Sequence, residues 1–183
     1  MTKQHGGAIV DLGNVIVAHW LSNITPKNFP TYDYDSIPEA PGVCESLKRL
    51  NERFGGNITV VYNSTAIADE KIHAWLRSHK FIERTGIPLE RIRRTINESR
   101  DKTPFMNQSS ETHYGTTVVV DDRLEVMSHF VGKVPQLFLF RFQLQEIMDL
   151  WKRKKLDAVL TTGVTDHVRQ VKTWSEIEYH LNT

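Results

Sequence analysis

Cysteine is almost absent: Cys44 stands alone among 183 residues. That excludes an internal disulfide and a cysteine-built zinc site, and a lone Cys in a helical pattern reads as a small core residue. An excess of one charge is lacking too, with 23 Lys and Arg against 22 Asp and Glu. So even a balance gives nucleic acid little support as a partner and an anionic membrane none. No apolar run approaches the roughly 20 residues that cross a bilayer. The opening Met1-Thr2-Lys3-Gln4-His5 is not followed by the apolar core of a signal peptide. A reducing, cytoplasmic setting is the expectation. Repeats, low-complexity tracts and linkers are missing as well. The 183 residues therefore read as a single domain, 1–183, with a proper core.

What is present is an alternation of short apolar runs and helical patterns. Residues 8–11, 58–62, 116–120, 135–140 and 168–171 read as strands rich in β-branched or aromatic residues, with a shorter strand at 91–96. Helices are expected from Pro41 to Gly55, over 66–79, after Asp122, and over 143–155. The last of these ends in Lys152-Arg153-Lys154-Lys155, read as a solvated helix end that complements the dipole. Thr103 before Pro104 suggests a helix cap, and Ser175 with Glu178 a capping box. Residues 81–90 read as connection, 31–38 as a polar and aromatic loop, and 16–30 as a flap near the first strand end. Within that flap Trp20 suits either a substrate platform or a lid on the core. The alternation predicts an α/β fold: a Rossmann-like, doubly wound parallel sheet with helices on both faces.

Polar residues follow four of the apolar runs or stand in nearby loops: Asp11, then Asn63-Ser64, then Lys102, then Asp121-Asp122. In a parallel sheet these ends meet at one edge, in the crevice where such sheets bind ligands. Carboxylates gathered there repel one another unless a cation neutralises them. Oxygen ligands around a small opening favour Mg²⁺, which shares its shell with phosphate. A lysine and a hydroxyl beside it make a phosphate cradle, and a carboxylate can act as nucleophile through an aspartyl-phosphate. Taken singly, Ser64 reads as a helix start and Asp121-Asp122 as a cap as readily as a metal site.

The segments Ile9-Val10-Asp11-Leu12-Gly13-Asn14-Val15, Thr59-Val60-Val61-Tyr62-Asn63-Ser64, Asp101-Lys102-Thr103-Pro104 and Val118-Val119-Val120-Asp121-Asp122 together resemble the haloacid dehalogenase (HAD) superfamily. The variant Asp11-Leu12-Gly13-Asn14-Val15 looks like that of some sugar-phosphate phosphatases there. The resemblance implies a phosphatase-type hydrolase acting on a phosphorylated substrate. Asp11 would attack phosphorus and, with the Gly13 carbonyl, Asp121 and Asp122, hold Mg²⁺. Ser64 would bond the phosphoryl oxygens, with Asn63 beside it, and Lys102 would pair with Asp11; Asn14, His19 and Trp20, close to the first strand end, are further candidates for substrate contact. Asn63 and Ser64 can exchange roles, because the second motif aligns one residue either way.

One position departs from the pattern. The family's phosphatases usually carry a second Asp two residues after the nucleophile, as general acid and base. Here it is Gly13. Slow turnover, a substitute such as His19, restriction to good leaving groups, or loss of turnover would each accommodate that. The alternatives are a phosphate- or Mg²⁺-binding protein without turnover and, more remotely, a haloacid dehalogenase. A response-regulator receiver carries its acidic pair first and its lysine last, the reverse of the order here. The gaps Val15 to Ser64 and Ser64 to Lys102 leave no room for a separate cap domain, so an open site is expected.

Overall fold

A computed structural model describes residues 6–24, 31–96, 100–106 and 115–183. Six strands, β1 (Gly7–Val10), β2 (Ile58–Asn63), β3 (Ile92–Thr95), β4 (Thr116–Asp121), β5 (Gln136–Phe140) and β6 (Val168–Val171), form one sheet. Their order is β3-β2-β1-β4-β5-β6 and every pairing is parallel. The chain winds outward from β1 to β3, then returns past β1 to begin β4. The strand order therefore reverses between β1 and β4, which opens a crevice at their carboxyl ends.

Alternation along each strand builds two cores. Ala8, Val10, Val118, Val120, Phe138 and Phe140 face one side. There they pack with α1 (Val43–Arg53), α2 (Ala66–Ser78), α3 (Phe81–Thr85) and α8 (Trp174–Asn182). Ile9, Val61, Val119, Leu137 and Leu139 face the other. That side is covered by α4 (Leu124–Ser128), α5 (Gln145–Lys152), α6 (Leu156–Leu160) and α7 (Val164–His167). A sheet buried on both faces needs near-continuous apolar strands, and β1, β2, β4 and β5 are such runs. Among the described residues no helix is long and apolar enough to cross a membrane.

The segment after β1 is core rather than flap. Leu12, Val15, Ile16, Val17 and Ala18 are all at most 1% exposed. The Trp174 indole donates to the Val15 carbonyl at 3.0 Å, and the Trp75 indole to that of Ile37 at 2.7 Å. Two bulky aromatics thus bury their rings and satisfy their N–H groups on the loops that carry the site. The remainder of the expected flap runs into residues 25–30, outside the described residues.

Several local expectations are corrected. Residues 81–90 contain α3, because Phe81 supplies a fully buried anchor. The expected helix 143–155 stops at Lys152, and Lys154 adopts φ +57°, which ends α5 and starts the turn into α6. Its basic tail is not wholly solvated: Arg153 and Lys155 pair with the buried Glu125 at 3.1 and 2.9 Å. The terminal helix is capped by Thr173, whose hydroxyl accepts from the Glu176 N–H, not by Ser175. Asp101, not Thr103, accepts the N–H bond at the turn around Pro104.

Candidate active site

The turn out of β1 places Asp11 at the sheet edge, where its backbone N–H still bonds the Val120 carbonyl of β4 at 2.9 Å. Asn14 then takes φ +59°, a left-handed conformation that Asn tolerates better than most residues. The reversal brings the Asn14 amide to Asp122, 2.9 Å from Oδ2. Asp121 closes β4, and its Oδ1 accepts the Arg123 N–H at 2.9 Å. Glu146 of α5 accepts the Leu124 and Glu125 N–H groups at the start of α4. The acidic turn is thereby braced from below.

Lys102 ties the two halves of the polypeptide together. It is only 2% exposed, and its ammonium donates to Asp11 Oδ1 and, at 2.6 Å, to Asp121 Oδ2. Burial favours the neutral amine, but the two carboxylates override it and hold Lys102 protonated. Burial pushes all three aspartates upward. For Asp11 the Lys102 cation opposes that shift. Asp121 shares the same opposition. Asp122 rises to about 6, burial first and the Asp121 charge second.

The cavity over these residues measures about 470 Å³. Of the residues singled out in the sequence, Asp11, Gly13, Asn14, His19, Asn63, Ser64, Lys102, Asp121 and Asp122 all line it. Trp20 is not brought there; it packs against Phe140, with the Arg141 guanidinium 4.5 Å above its ring. Ser64 Oγ is buried and has no hydrogen-bond partner among the described residues, an orphan that calls for an explanation. Cys44 is a core residue: burial, then the nearby Glu39 charge, push its thiol up to about 12.

The vacancy at Gly13 is partly filled. A methyl group there would lie 3.5 Å from His19 Cε1, 3.8 Å from Asp11 Oδ2 and 3.9 Å from His19 Nδ1. The imidazole thus borders the space that a side chain at position 13 would use. His19 Nε2 lies 2.9 Å from the Tyr34 hydroxyl. Burial lowers the His19 pKa to about 4, so the ring is neutral near pH 7. Sequence reasoning missed Tyr34, Tyr62, Arg100 and Arg123, which also line the cavity. Tyr34 belongs to a loop already set down as polar and aromatic; the others carried no signal of their own.

Among the described residues, no three His, Cys, Asp or Glu side chains form a group that would by itself hold a metal ion. Side-chain oxygens for a cation would come from the aspartates of the acidic turn and Asp11, supplemented by backbone and water.

No protein-family model and no curated protein matches the chain. Among solved structures, one from Burkholderia xenovorans LB400 assigned as a haloacid dehalogenase-like hydrolase superposes with a TM-score of 0.55 and 13% identity. The match covers 95% of each chain. A glucose-6-phosphate 1-dehydrogenase from Mycobacterium avium aligns over 92% of this chain and 36% of its own at a TM-score of 0.35 and 12% identity, too low to carry an argument.

Proposed function

We propose that this chain, which shares the haloacid dehalogenase-like fold, is a phosphatase-type hydrolase acting through an aspartyl-phosphate on Asp11. The observation that carries the reading is Ser64 Oγ: a buried hydroxyl without a partner, in the same cavity as Asp11 and its Lys102 counter-ion. A phosphoryl oxygen would satisfy it.

Magnesium fits the donor set. It takes one or two carboxylates and keeps several waters, so the lack of a three-carboxylate cage is no obstacle. Lys102 engages Asp11 Oδ1 and Asp121 Oδ2, and the Arg123 N–H takes Asp121 Oδ1, so Asp11 through Oδ2 and Asp122, with the Gly13 carbonyl, are the groups that would hold the ion most directly, with Asp121 beside them. When bound, it would offset charge on the phosphoryl oxygens and the facing carboxylates.

In the first step an Asp11 carboxylate oxygen forms a bond to phosphorus as the bond to the leaving oxygen breaks. Lys102 keeps Asp11 ionised and oriented, and the Ser64 hydroxyl donates to the phosphoryl group. The leaving oxygen departs as an anion and takes its proton from solvent. Water then adds at phosphorus, releasing orthophosphate and restoring the Asp11 carboxylate. Gly13 offers no side chain for either proton transfer. A neutral His19 beside it suits accepting a proton from water better than protonating a leaving group, which favours substrates whose leaving group is stable as an anion.

A second reading, a phosphate- and Mg²⁺-binding protein without turnover, draws on Gly13 itself. Incubation with Mg²⁺ and an aryl phosphate separates the two. Metal-dependent orthophosphate release that vanishes in Asp11→Asn is the expected result. No release across a panel of phosphoesters, with Mg²⁺-dependent binding of a phosphate mimic, would make the chain a binding protein. Chloride release from a haloacid would move it to dehalogenation.

A further inference from the structure

We infer that the substrate carries a second phosphate, held by Arg100 and Arg123 on the side of Asp11 away from Ser64. The inference rests on reading Ser64 and Lys102 as the cradle of the scissile phosphoryl group.

Both arginines line the cavity. Three carboxylates and three cations face it, so the total charge is balanced, but the pairing is not. Lys102 lies between Asp11 and Asp121. Asp122 takes the Asn14 amide at 2.9 Å and has Arg123 Nε 4.0 Å away. The other acid near Arg100 is Glu125, already bound by Arg153 and Lys155. Among the described residues, Arg100 itself makes no hydrogen bond and no ion pair. Burial, then the Arg123 and Arg153 charges, make its cationic form less favourable. Its backbone sits at φ +54°, in the left-handed region that non-glycine residues seldom enter. A half-buried guanidinium next to like charge, without a partner, is matched by an anion that arrives from solvent.

Topology argues that this anion is not the scissile group. Ser64 follows β2 and Arg123 follows β4, and these strands flank β1 on opposite sides. Adjacent strands lie about 4.8 Å apart, so the two ends are separated by roughly 10 Å with Asp11 between them. One phosphoryl group does not span that distance, whereas a molecule with two phosphates does. The second phosphate could be joined to the first directly, as an anhydride, or through a carbon spacer.

The test is calorimetric titration of the full-length protein in Mg²⁺ buffer. The probes are propylphosphonate and the methylene-, propylene- and pentylene-bisphosphonates. We expect at least one bisphosphonate to bind about tenfold tighter than propylphosphonate or better, the effect of one added charge-assisted contact. The spacer that wins distinguishes anhydride-like from carbon-spaced substrates. Arg100→Gln and Arg123→Gln should each remove most of the advantage, and Arg100→Lys should restore part of it. Ser64→Ala should weaken both kinds of probe alike. Equal affinity for one and two phosphonates at every length would overturn the inference, as would an advantage that survives Arg100→Gln. Aryl phosphate turnover without any preference overturns this inference and leaves the hydrolase reading standing. An Arg100-dependent preference without turnover supports the inference and counts against hydrolysis.

Discussion

Replacing Lys102 with Met removes the one cation buried between Asp11 and Asp121 and keeps most of its volume. At an effective dielectric near 20, unit charges 2.6 Å apart attract by about 6 kcal/mol. Part of that is offset by no longer burying the ammonium. Breaking a buried pair from one side ordinarily costs about 3–5 kcal/mol, because the partner is left uncompensated. Here two partners are left, and Asp121 is 1% exposed, so the upper end of that range applies at neutral pH. For a domain of this size each kcal/mol moves Tm by roughly 2–4 °C, giving a drop on the order of 10–20 °C. The pH dependence has a definite sign. Burial already raises Asp11 and Asp121, and Lys102 opposes it in both. Without Lys102 both rise further, so the folded variant binds more protons than its unfolded chain, and its stability falls as pH rises through those values. The deficit against wild type should be largest near pH 7 and shrink on acidification. Urea unfolding at several pH values, with chelator present, measures it. A loss below about 1 kcal/mol at neutral pH, or one that grows as pH falls, would refute the reasoning.

Ser64→Ala should leave thermal stability within about 0.5 kcal/mol, since no hydrogen bond is lost, while cutting kcat/KM for an aryl phosphate at least about tenfold; a matching loss of Tm would mark Ser64 as structural instead. Gly13→Asp would set its Cβ in van der Waals contact with His19, 3.5 Å from Cε1. If leaving-group protonation limits the rate, that variant should raise turnover of alkyl phosphates by about 10²-fold, and an unchanged rate in a folded variant would contradict it. His19 titrates at about 4 in the folded protein against an ordinary 6.5. The folded state therefore binds fewer protons over that window, and His19 contributes stability that is lost as pH falls through it, at most about 3 kcal/mol. His19→Gln should flatten the acid limb of stability against pH; superimposable limbs would sink this account of the ring.

The fold was legible because its signals are redundant. Each of β1, β2, β4 and β5 is a compact apolar run, and a strand whose two faces are both buried can hide neither from the sequence. Asp11, Lys102 and Asp121 were legible for a related reason: each marks the end of such a run or the loop beside it, so order along the chain became proximity at one edge. What escaped depends on contacts between distant segments. Nothing local shows that Val15, Ile16 and Val17 are held inward by Trp174, 159 positions away in its bond to Val15. Nor does position 34 reveal that its hydroxyl meets His19. Arg100 and Arg123 were not singled out, since the sequence shows charge and not who pairs with whom. Of the two readings of Trp20, the packing is that of a lid on the core, which the sequence could not choose because its partner Phe140 comes from the far side of the chain.

The central claim is that Asp11 becomes covalently phosphorylated. Mass spectrometry of protein mixed with Mg²⁺ and aryl phosphate, then quenched in acid, tests it directly. The account predicts one added phosphoryl group on the peptide containing Asp11, absent without Mg²⁺ and absent in Asp11→Asn. Steady orthophosphate release with no adduct on that peptide, or an adduct that survives in Asp11→Asn, would contradict it.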